Sequence, residues 1–244
     1  MSKILNIKKN LQKDGFVLLK GFLCKTKEFR YLKNYIGDFL KYTNKIQTNN
    51  LEKQSAFITK KFLKNKDISA YLNDNINKSP YLQKLFTCEK LIKIVCEVLD
   101  TNKHKIILNN QRLRIQIPGN DNIANLPWHQ DSHYNVVKNT RSIVTWISIN
   151  KITKNMGPII FKKGSHKLGQ IKAIRYRKNN GNFAIKVNVS KGKIGEFIEE
   201  QFETEPGDLI LIDMNTIHTS GRNLSRNHIK FSSQARYHFV KNFN

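Results

Sequence analysis

Acidic residues are scarce in this chain. Its 244 residues include 18 Asp and Glu against 43 Lys and Arg, which gives a formal net charge of +25. Such an excess is typical of proteins that bind nucleic acid, anionic membranes or acidic substrates. Here the basic residues are spread along the whole chain and accompany abundant Asn and Ile and little Ala, as an A- and T-rich genome produces. We therefore interpret most of the charge as compositional and as a solvated surface.

A basic nucleic-acid-binding β-domain with a vestigial metal site is kept as an alternative function. The sequence has no aromatic-interleaved basic strand of the RRM type, no zinc finger and no helix-turn-helix signature. We therefore expect that nucleic acid is not a partner.

Cysteine and long apolar runs are also lacking. The three cysteines, Cys24, Cys88 and Cys96, form no CxxC pair, so neither a disulfide framework nor a zinc knuckle is indicated. No apolar run approaches the roughly 18 residues of a membrane span. The charged N-terminus lacks the apolar segment of a signal peptide, so we expect a cytoplasmic protein.

The chain shows no internal repeat, linker or composition shift, which favours a single domain over residues 1–244. Residues 1–104 are predicted to be mostly helical. Apolar spacings of three and four predict helices over 25–42 and 80–99, the second beginning at Pro80 with Ser79 as its N-cap. A helix near Ile4–Lys13 is expected to precede an edge strand at Phe16–Leu19.

From about Lys105 the pattern changes to short β-branched runs separated by Gly, Pro and Asn. This pattern predicts an all-β sandwich or barrel over 105–244, with the helices buttressing one face. The predicted strands are Ile106–Leu108, Leu113–Ile117, Ile143–Ile149, Gly157–Phe161, Ala184–Val189, Leu209–Asp213 and Ile229–Val240.

The segment His129-Gln130-Asp131 holds two candidate metal ligands. On a strand, residues two apart point to the same side, so the imidazole of His129 and the carboxylate of Asp131 can approach one ion. His218, close to the end of the β-rich half, is the best candidate for a third ligand. His133 is the rival because it shares the strand parity, although three ligands within five residues would crowd one strand. Two His and one carboxylate with open positions are typical of non-haem Fe(II) oxygenases.

Several segments, in this order and spacing, resemble the phytanoyl-CoA dioxygenase family over nearly the whole chain. They are LQKDGFVLLKGFL at 11–23, LRIQIPG at 113–119, PWHQD at 127–131, TWISIN at 145–150, MGPIIFKKGSHK at 156–167, EPGDLILID at 205–213 and HTSGRNLS at 218–225. The resemblance implies an α+β fold that is mainly β: a double-stranded β-helix (a jelly-roll, cupin-like core) behind N-terminal helices. It also implies Fe(II), the co-substrates 2-oxoglutarate and O₂, and a His129, Asp131 and His218 metal triad.

The retained Asp131 matters because related halogenases have a small residue at that position. The resemblance therefore favours a hydroxylase that releases succinate and CO₂. A cupin-type metalloenzyme that does not use 2-oxoglutarate stays open, because the family's co-substrate anchor is altered.

In the family, an Arg about eleven residues after the last His holds the distal carboxylate of 2-oxoglutarate. That offset falls on Ile229 in this chain. Alignment on the end of the final strand instead places Lys230 where the family has its Arg. Lys230 is therefore the predicted anchor, and Arg226 or Arg236 is the alternative anchor. Lysine holds a carboxylate as a point charge, without the bidentate fork of Arg. The other 2-oxoglutarate contacts implied by the resemblance are Ser220, Gln116, Trp146 and Ser232.

The substrate is expected to be a small molecule. Tentative contacts are Arg114, Gln130, His133 and His166, and the specificity elements are the loop Gly119–Leu126 and a lid-like insert at 167–202. Basic residues of the insert suggest an anionic substrate: Lys167, Lys172, Arg175 and Arg177. A monomer or weak dimer is expected.

Overall fold

The computed structural model describes residues 3–65, 67–119, 126–134, 141–177, 183–188 and 194–239. Most of the predicted specificity loop Gly119–Leu126, and residues 178–182 and 189–193 of the predicted lid, lie outside these ranges. Among the described residues, no helix combines the length and the apolar character needed to cross a membrane.

Helices fill the first hundred residues, as predicted. They are α1 (Lys3–Asp14), α2 (Lys27–Asn44), α3 (Leu51–Lys64), α4 (Asp67–Ile76), α5 (Pro80–Phe86) and α6 (Glu89–Leu99). Ser79 caps α5 as predicted, since its hydroxyl accepts a hydrogen bond from the Tyr81 amide at 3.1 Å.

The single helix predicted over 80–99 is wrong. Thr87 ends α5, and Cys88 has the extended backbone of an N-cap for α6. The apolar stripe nevertheless runs through the break, because α5 and α6 pack against the same core.

The strands follow from residue 106 onward, apart from the predicted edge strand β1 (Phe16–Leu19). They are β2 (Ile106–Gln116), β3 (Arg141–Ser148), β4 (Ile159–Lys162), β5 (Ala173–Arg177), β6 (Phe183–Val187), β7 (Glu199–Gln201), β8 (Leu209–Asp213), β9 (His218–Ser220) and β10 (Lys230–Phe239). The two strands predicted between 106 and 117 are one strand, β2. The polar residues between the two predicted strands form a β-bulge opposite Ala235, with Asn110 in the left-handed region at φ 56°.

Two antiparallel sheets enclose the core. The larger has the order β1-β8-β3-β10-β2, the smaller has the order β7-β4-β9, and β5 pairs with β6 in a separate hairpin. Alternate residues of the larger sheet, such as Ile147, Leu211 and Phe231, pack against the helices. Their neighbours, such as Trp146 and Ile210, pack against Ile159 and Phe161 of the smaller sheet. The predicted jelly-roll-like core buttressed by helices is confirmed.

Strand β10 breaks the apolar pattern on its inner face. Phe231, Ala235 and Tyr237 face the helices, whereas Lys230, Ser232, Gln234 and Arg236 alternate with them and face the interior. Buried polar side chains are costly unless they are hydrogen-bonded or paired. The inner face of β10 is therefore the part of the core in which polar contacts must be looked for.

Gly157, just before β4, approaches the backbone of Gly221, just after β9, and its carbonyl accepts a hydrogen bond from Lys230 of this row. It has φ +68°, and a Cβ there would lie 2.3 Å from the carbonyl oxygen of Gly221. We expect Gly157→Ala to lower the free energy of unfolding by about 2–5 kcal/mol, because backbone strain and a clash add. In urea denaturation, the control Gly119→Ala (φ +74°, open space around the Cβ) should cost only ~1–2 kcal/mol. Equal costs for the two variants would contradict the clash.

Candidate active site

His129 and His218 face each other across a two-residue bridge between their backbones. Each amide donates to the other's carbonyl at 3.0 Å, and the ring centroids are 4.2 Å apart. The Nδ1 of His129 donates to the carbonyl of Pro127 at 2.8 Å, and the Nδ1 of His218 donates to that of Thr216 at 2.9 Å. These bonds fix both tautomers and leave Nε2 as the atom available to a metal.

Asp131 completes the group, but not from a strand. The expectation that His129 and Asp131 share one regular strand is wrong: Asp131 begins a 3₁₀ turn that runs to Tyr134, and the turn brings its carboxylate beside the rings. Its Oδ2 lies 3.9 Å from Nε2 of His218. One donor atom from each of the three residues lies within 4.8 Å of the others, and all three residues are buried.

Burial keeps both imidazoles neutral. It lowers the pKa of His129 to about 3, with the neighbouring His218 adding to the effect, and it also lowers the pKa of His218. Burial alone would raise the pKa of Asp131, but the charge of Arg236 and its hydrogen bond to the carboxylate hold that pKa well below its usual range. Two neutral imidazoles and an ionised carboxylate are the protonation states that a divalent metal requires.

Arg236 makes the closest contact with Asp131, from its Nη2 to Oδ1 of the carboxylate. Its guanidinium also lies over the ring of Tyr134, 5.2 Å from the centroid. The other carboxylate oxygen, Oδ2, is the one that faces His218. The pair therefore orients Asp131 with one oxygen directed toward the histidines.

A cavity opens beside the triad at the inner face of β10. It is lined by Asn73, Arg114, Ile115, Gln116, Leu126, His129, Trp146, Ile159, His218, Ser220, Lys230, Ser232 and Gln234. All five residues predicted to contact 2-oxoglutarate are among them, and so is Arg114. Ile229, at the family's usual offset, is fully buried against the helices.

Lys230 is 4% exposed, and its ammonium donates a hydrogen bond to the carbonyl of Gly157. Burial, helped by the positive charge of Arg114, lowers the pKa of Lys230 to about 7. No Asp or Glu is among the described residues that line the cavity. Of the two fallback anchors, Arg226 is exposed outside the cavity, and Arg236 is engaged with Asp131.

The structure does not bring three of the tentative substrate residues to the cavity. The Gln130 amide donates to the carbonyls of Gly169 and Asn215 and accepts from the Ile171 amide, so it braces backbone. His133, the rival metal ligand, lies outside the donor group within the described residues and contacts Gln170. The Nε2 of His166 donates to the carbonyl of Gln12 in α1, and His166 is not among the described residues that line the cavity.

Sequence reasoning missed the contact between Arg236 and Asp131 and the packing of Arg236 over the ring of Tyr134. The alternation along 230–237 already put Arg236 on the face of Lys230. Nothing local in the sequence signals which carboxylate this Arg meets, because the partners are separated by 105 residues.

The sequence profile of the phytanoyl-CoA dioxygenase family matches residues 11–230, which include the triad and Lys230. The chain belongs to this family. No curated protein sequence matches it significantly.

Solved structures share the fold of this phytanoyl-CoA dioxygenase family member. EctD from S. alaskensis, crystallised with 2-oxoglutarate and 5-hydroxyectoine, is 16% identical, with a TM-score of 0.64 over 98% of this chain and 77% of EctD. The epimerase SnoN, in complex with Fe³⁺, alpha ketoglutarate and nogalamycin RO, is 14% identical, with a TM-score of 0.63 over 97% and 83%. AviO1 from Streptomyces viridochromogenes Tue57 is 14% identical, with a TM-score of 0.60 over 98% and 96%. At these identities the likeness establishes the fold alone.

Proposed function

We propose that this chain is an Fe(II)- and 2-oxoglutarate-dependent dioxygenase that hydroxylates a small-molecule substrate and releases succinate and CO₂. The observation that carries the proposal is the buried group of His129, Asp131 and His218, whose donor atoms lie within 4.8 Å of one another beside the cavity. Family membership supports it, as do the iron and alpha ketoglutarate of SnoN and the 2-oxoglutarate of EctD.

The residues fit an iron ion. His129 and His218 would bind it through Nε2, and Asp131 through the oxygen that is turned away from Arg236. Three ligands leave further coordination positions for a co-substrate. When bound, iron with 2-oxoglutarate activates dioxygen for the oxidation of a C–H bond. The carbonyls of Pro127 and Thr216 hold the two imidazoles in the orientation that this binding needs.

The charge of the cavity lining suits the co-substrate. A buried ammonium with no carboxylate among the described lining residues is unfavourable by itself, and a carboxylate ligand would relieve that cost. Lys230 would therefore hold the distal carboxylate of 2-oxoglutarate, with Ser220, Ser232 and Gln116 as hydrogen-bonding residues and Trp146 as a wall. This assignment favours 2-oxoglutarate chemistry over a cupin-type enzyme that does not use it.

The proposal also covers the domain organisation of the chain. We propose one catalytic domain over residues 1–244, acting as a monomer or weak dimer. The hairpin β5–β6, within the predicted insert 167–202, would cover the substrate. Gln130 ties this insert to the triad turn, because its side chain bonds the backbones of Gly169 and Ile171.

Oxygen-dependent conversion of 2-oxoglutarate to succinate tests the proposal without knowledge of the substrate. We expect slow succinate formation by the Fe(II)-loaded protein in air, measured by mass spectrometry, and none in the Asp131→Ala variant or without iron. Succinate at the same rate in the variant would trace the reaction to free iron and contradict the proposal.

A further inference from the structure

The guanidinium groups of Arg114 and Arg236 lie near the triad, in addition to the ammonium of Lys230. Arg114 lines the cavity, and its Nε donates to the side-chain oxygen of Gln234 at 3.1 Å. Burial lowers the pKa of Arg114 to about 10, so it stays charged at neutral pH, and the charge of Arg236 contributes to this shift. Among the described residues, Arg114 forms no salt bridge.

Not every N–H group of Arg236 has an acceptor among the described residues. Its Nη2 is bonded to Asp131, but within the described part of the chain its Nε and Nη1 are buried without a hydrogen-bond partner. The side chain is only 4% exposed. Buried guanidinium N–H groups without acceptors are costly, and an anionic acceptor offsets that cost best.

The charges of the proposed cofactors do not neutralise these two arginines. The two charges of Fe(II) are balanced by Asp131 and the C1 carboxylate of 2-oxoglutarate, and the ammonium of Lys230 is balanced by the C5 carboxylate. The charges of Arg114, which lines the cavity, and of Arg236, which is buried beside Asp131, then remain, and no Asp or Glu is among the described residues that line the cavity. Asp131 cannot serve both the iron and the whole guanidinium of Arg236.

We infer that Arg114 and Arg236 form an anion subsite beside the iron position, and that the substrate presents a carboxylate or phosphate group to it. The inference rests on the proposed function and specifies its substrate class. Arg114 lines the same cavity as the co-substrate anchor, whereas Arg236 is distinct from that anchor, because Lys230 lies six residues from Arg236 on β10 and is engaged at Gly157. An anion held there would place the adjoining carbon skeleton next to the triad.

The test uses the full chain loaded anaerobically with Fe(II) and saturating 2-oxoglutarate, and the probes butyrate, its neutral isostere butyramide, and inorganic phosphate. Binding is followed by the shift in melting temperature at constant ionic strength, and the visible Fe(II)–2-oxoglutarate absorption verifies that the co-substrate stays in place. The butyrate and phosphate arms distinguish a carboxylate from a phosphate source. We expect saturable stabilisation by at least one anion and none by butyramide.

Variants then assign the binding to the subsite. We expect Arg114→Gln and Arg236→Gln each to weaken the anion by at least about tenfold, and Arg114→Lys to retain most of the affinity. The matched control is Arg112→Gln, on the same strand but exposed and bonded to Asn110, which should bind as the wild type does.

Three outcomes overturn the inference: no anion binds, butyramide binds as well as butyrate, or both Gln variants bind the anion normally. In each case the Fe(II)–2-oxoglutarate absorption still forms, so the proposed function stands. Loss of that absorption in the wild type marks instead the failure of the proposed function.

Discussion

Asp131→Asn is expected to abolish iron-dependent turnover and to weaken Fe(II) binding by at least ~100-fold, since a carboxamide is a poor ligand and lacks the charge of a carboxylate. Asparagine is chosen because its side-chain oxygen can still accept the hydrogen bond from Arg236. Iron per chain after anaerobic loading and gel filtration is the measurement. Asp213→Asn, a nearby acid at the end of β8 outside the donor group, should keep its iron.

The free energy of unfolding of an alanine variant at Asp131 tests the contact between Asp131 and Arg236. Asp131→Ala leaves the guanidinium of Arg236 buried without its carboxylate, which we expect to cost about 3–5 kcal/mol of unfolding free energy. The double variant Asp131→Ala/Arg236→Met should recover most of that loss without recovering iron. An Asp131→Asn protein that binds one iron per chain and turns over would remove Asp131 from the metal site.

Lys230→Met is expected to weaken 2-oxoglutarate binding by about 10- to 100-fold, the loss of one charge-assisted hydrogen bond to a carboxylate. The same substitution should raise the melting temperature of the ligand-free protein at pH 6, because it removes a buried charge. Calorimetric titration of 2-oxoglutarate into Mn(II)-loaded protein measures the first effect. Unchanged affinity would rule out Lys230 as the anchor.

The pH dependence of both effects follows from the pKa of about 7 for Lys230. Binding needs the charged ammonium, so affinity should be flat below pH 7 and fall by up to ~tenfold per pH unit above it. Lys230→Arg stays charged, and its affinity should be nearly independent of pH up to pH 9. The unfolded chain keeps its proton to about pH 10.4, so between the two pKa values the wild type gains stability as pH rises, and the advantage of Lys230→Met shrinks.

The sequence allowed most of the fold to be predicted, because period-2 and period-3.6 patterns report which face of an element is buried. The errors in the predicted bounds of helices and strands arose where an apolar pattern continues through a local change of backbone conformation. Cys88 interrupts a continuous stripe as an N-cap, and Asn110 carries a bulge inside one strand. Neither residue type specifies that conformation on its own.

The candidate site was predictable in its composition but only partly in its contacts. The HxD segment, His218 and Lys230 were found from motifs and alternation, and the structure gathers them at one end of the barrel. The 3₁₀ turn at Asp131, the Arg236 contact and the bracing role of Gln130 depend on packing between distant segments, which no local pattern encodes. His166 stands in a family-like motif, yet its ring bonds the backbone of α1, far along the chain, and no local pattern signals that contact.

Anaerobic titration of the purified protein with Fe(II) and 2-oxoglutarate tests the central claim most directly. A weak visible charge-transfer absorption should appear only when both are present, saturate at one of each per chain, and be absent in Asp131→Asn. Its absence from the folded wild-type protein at any concentration of the two would contradict the claim that His129, Asp131 and His218 form an iron site that binds 2-oxoglutarate.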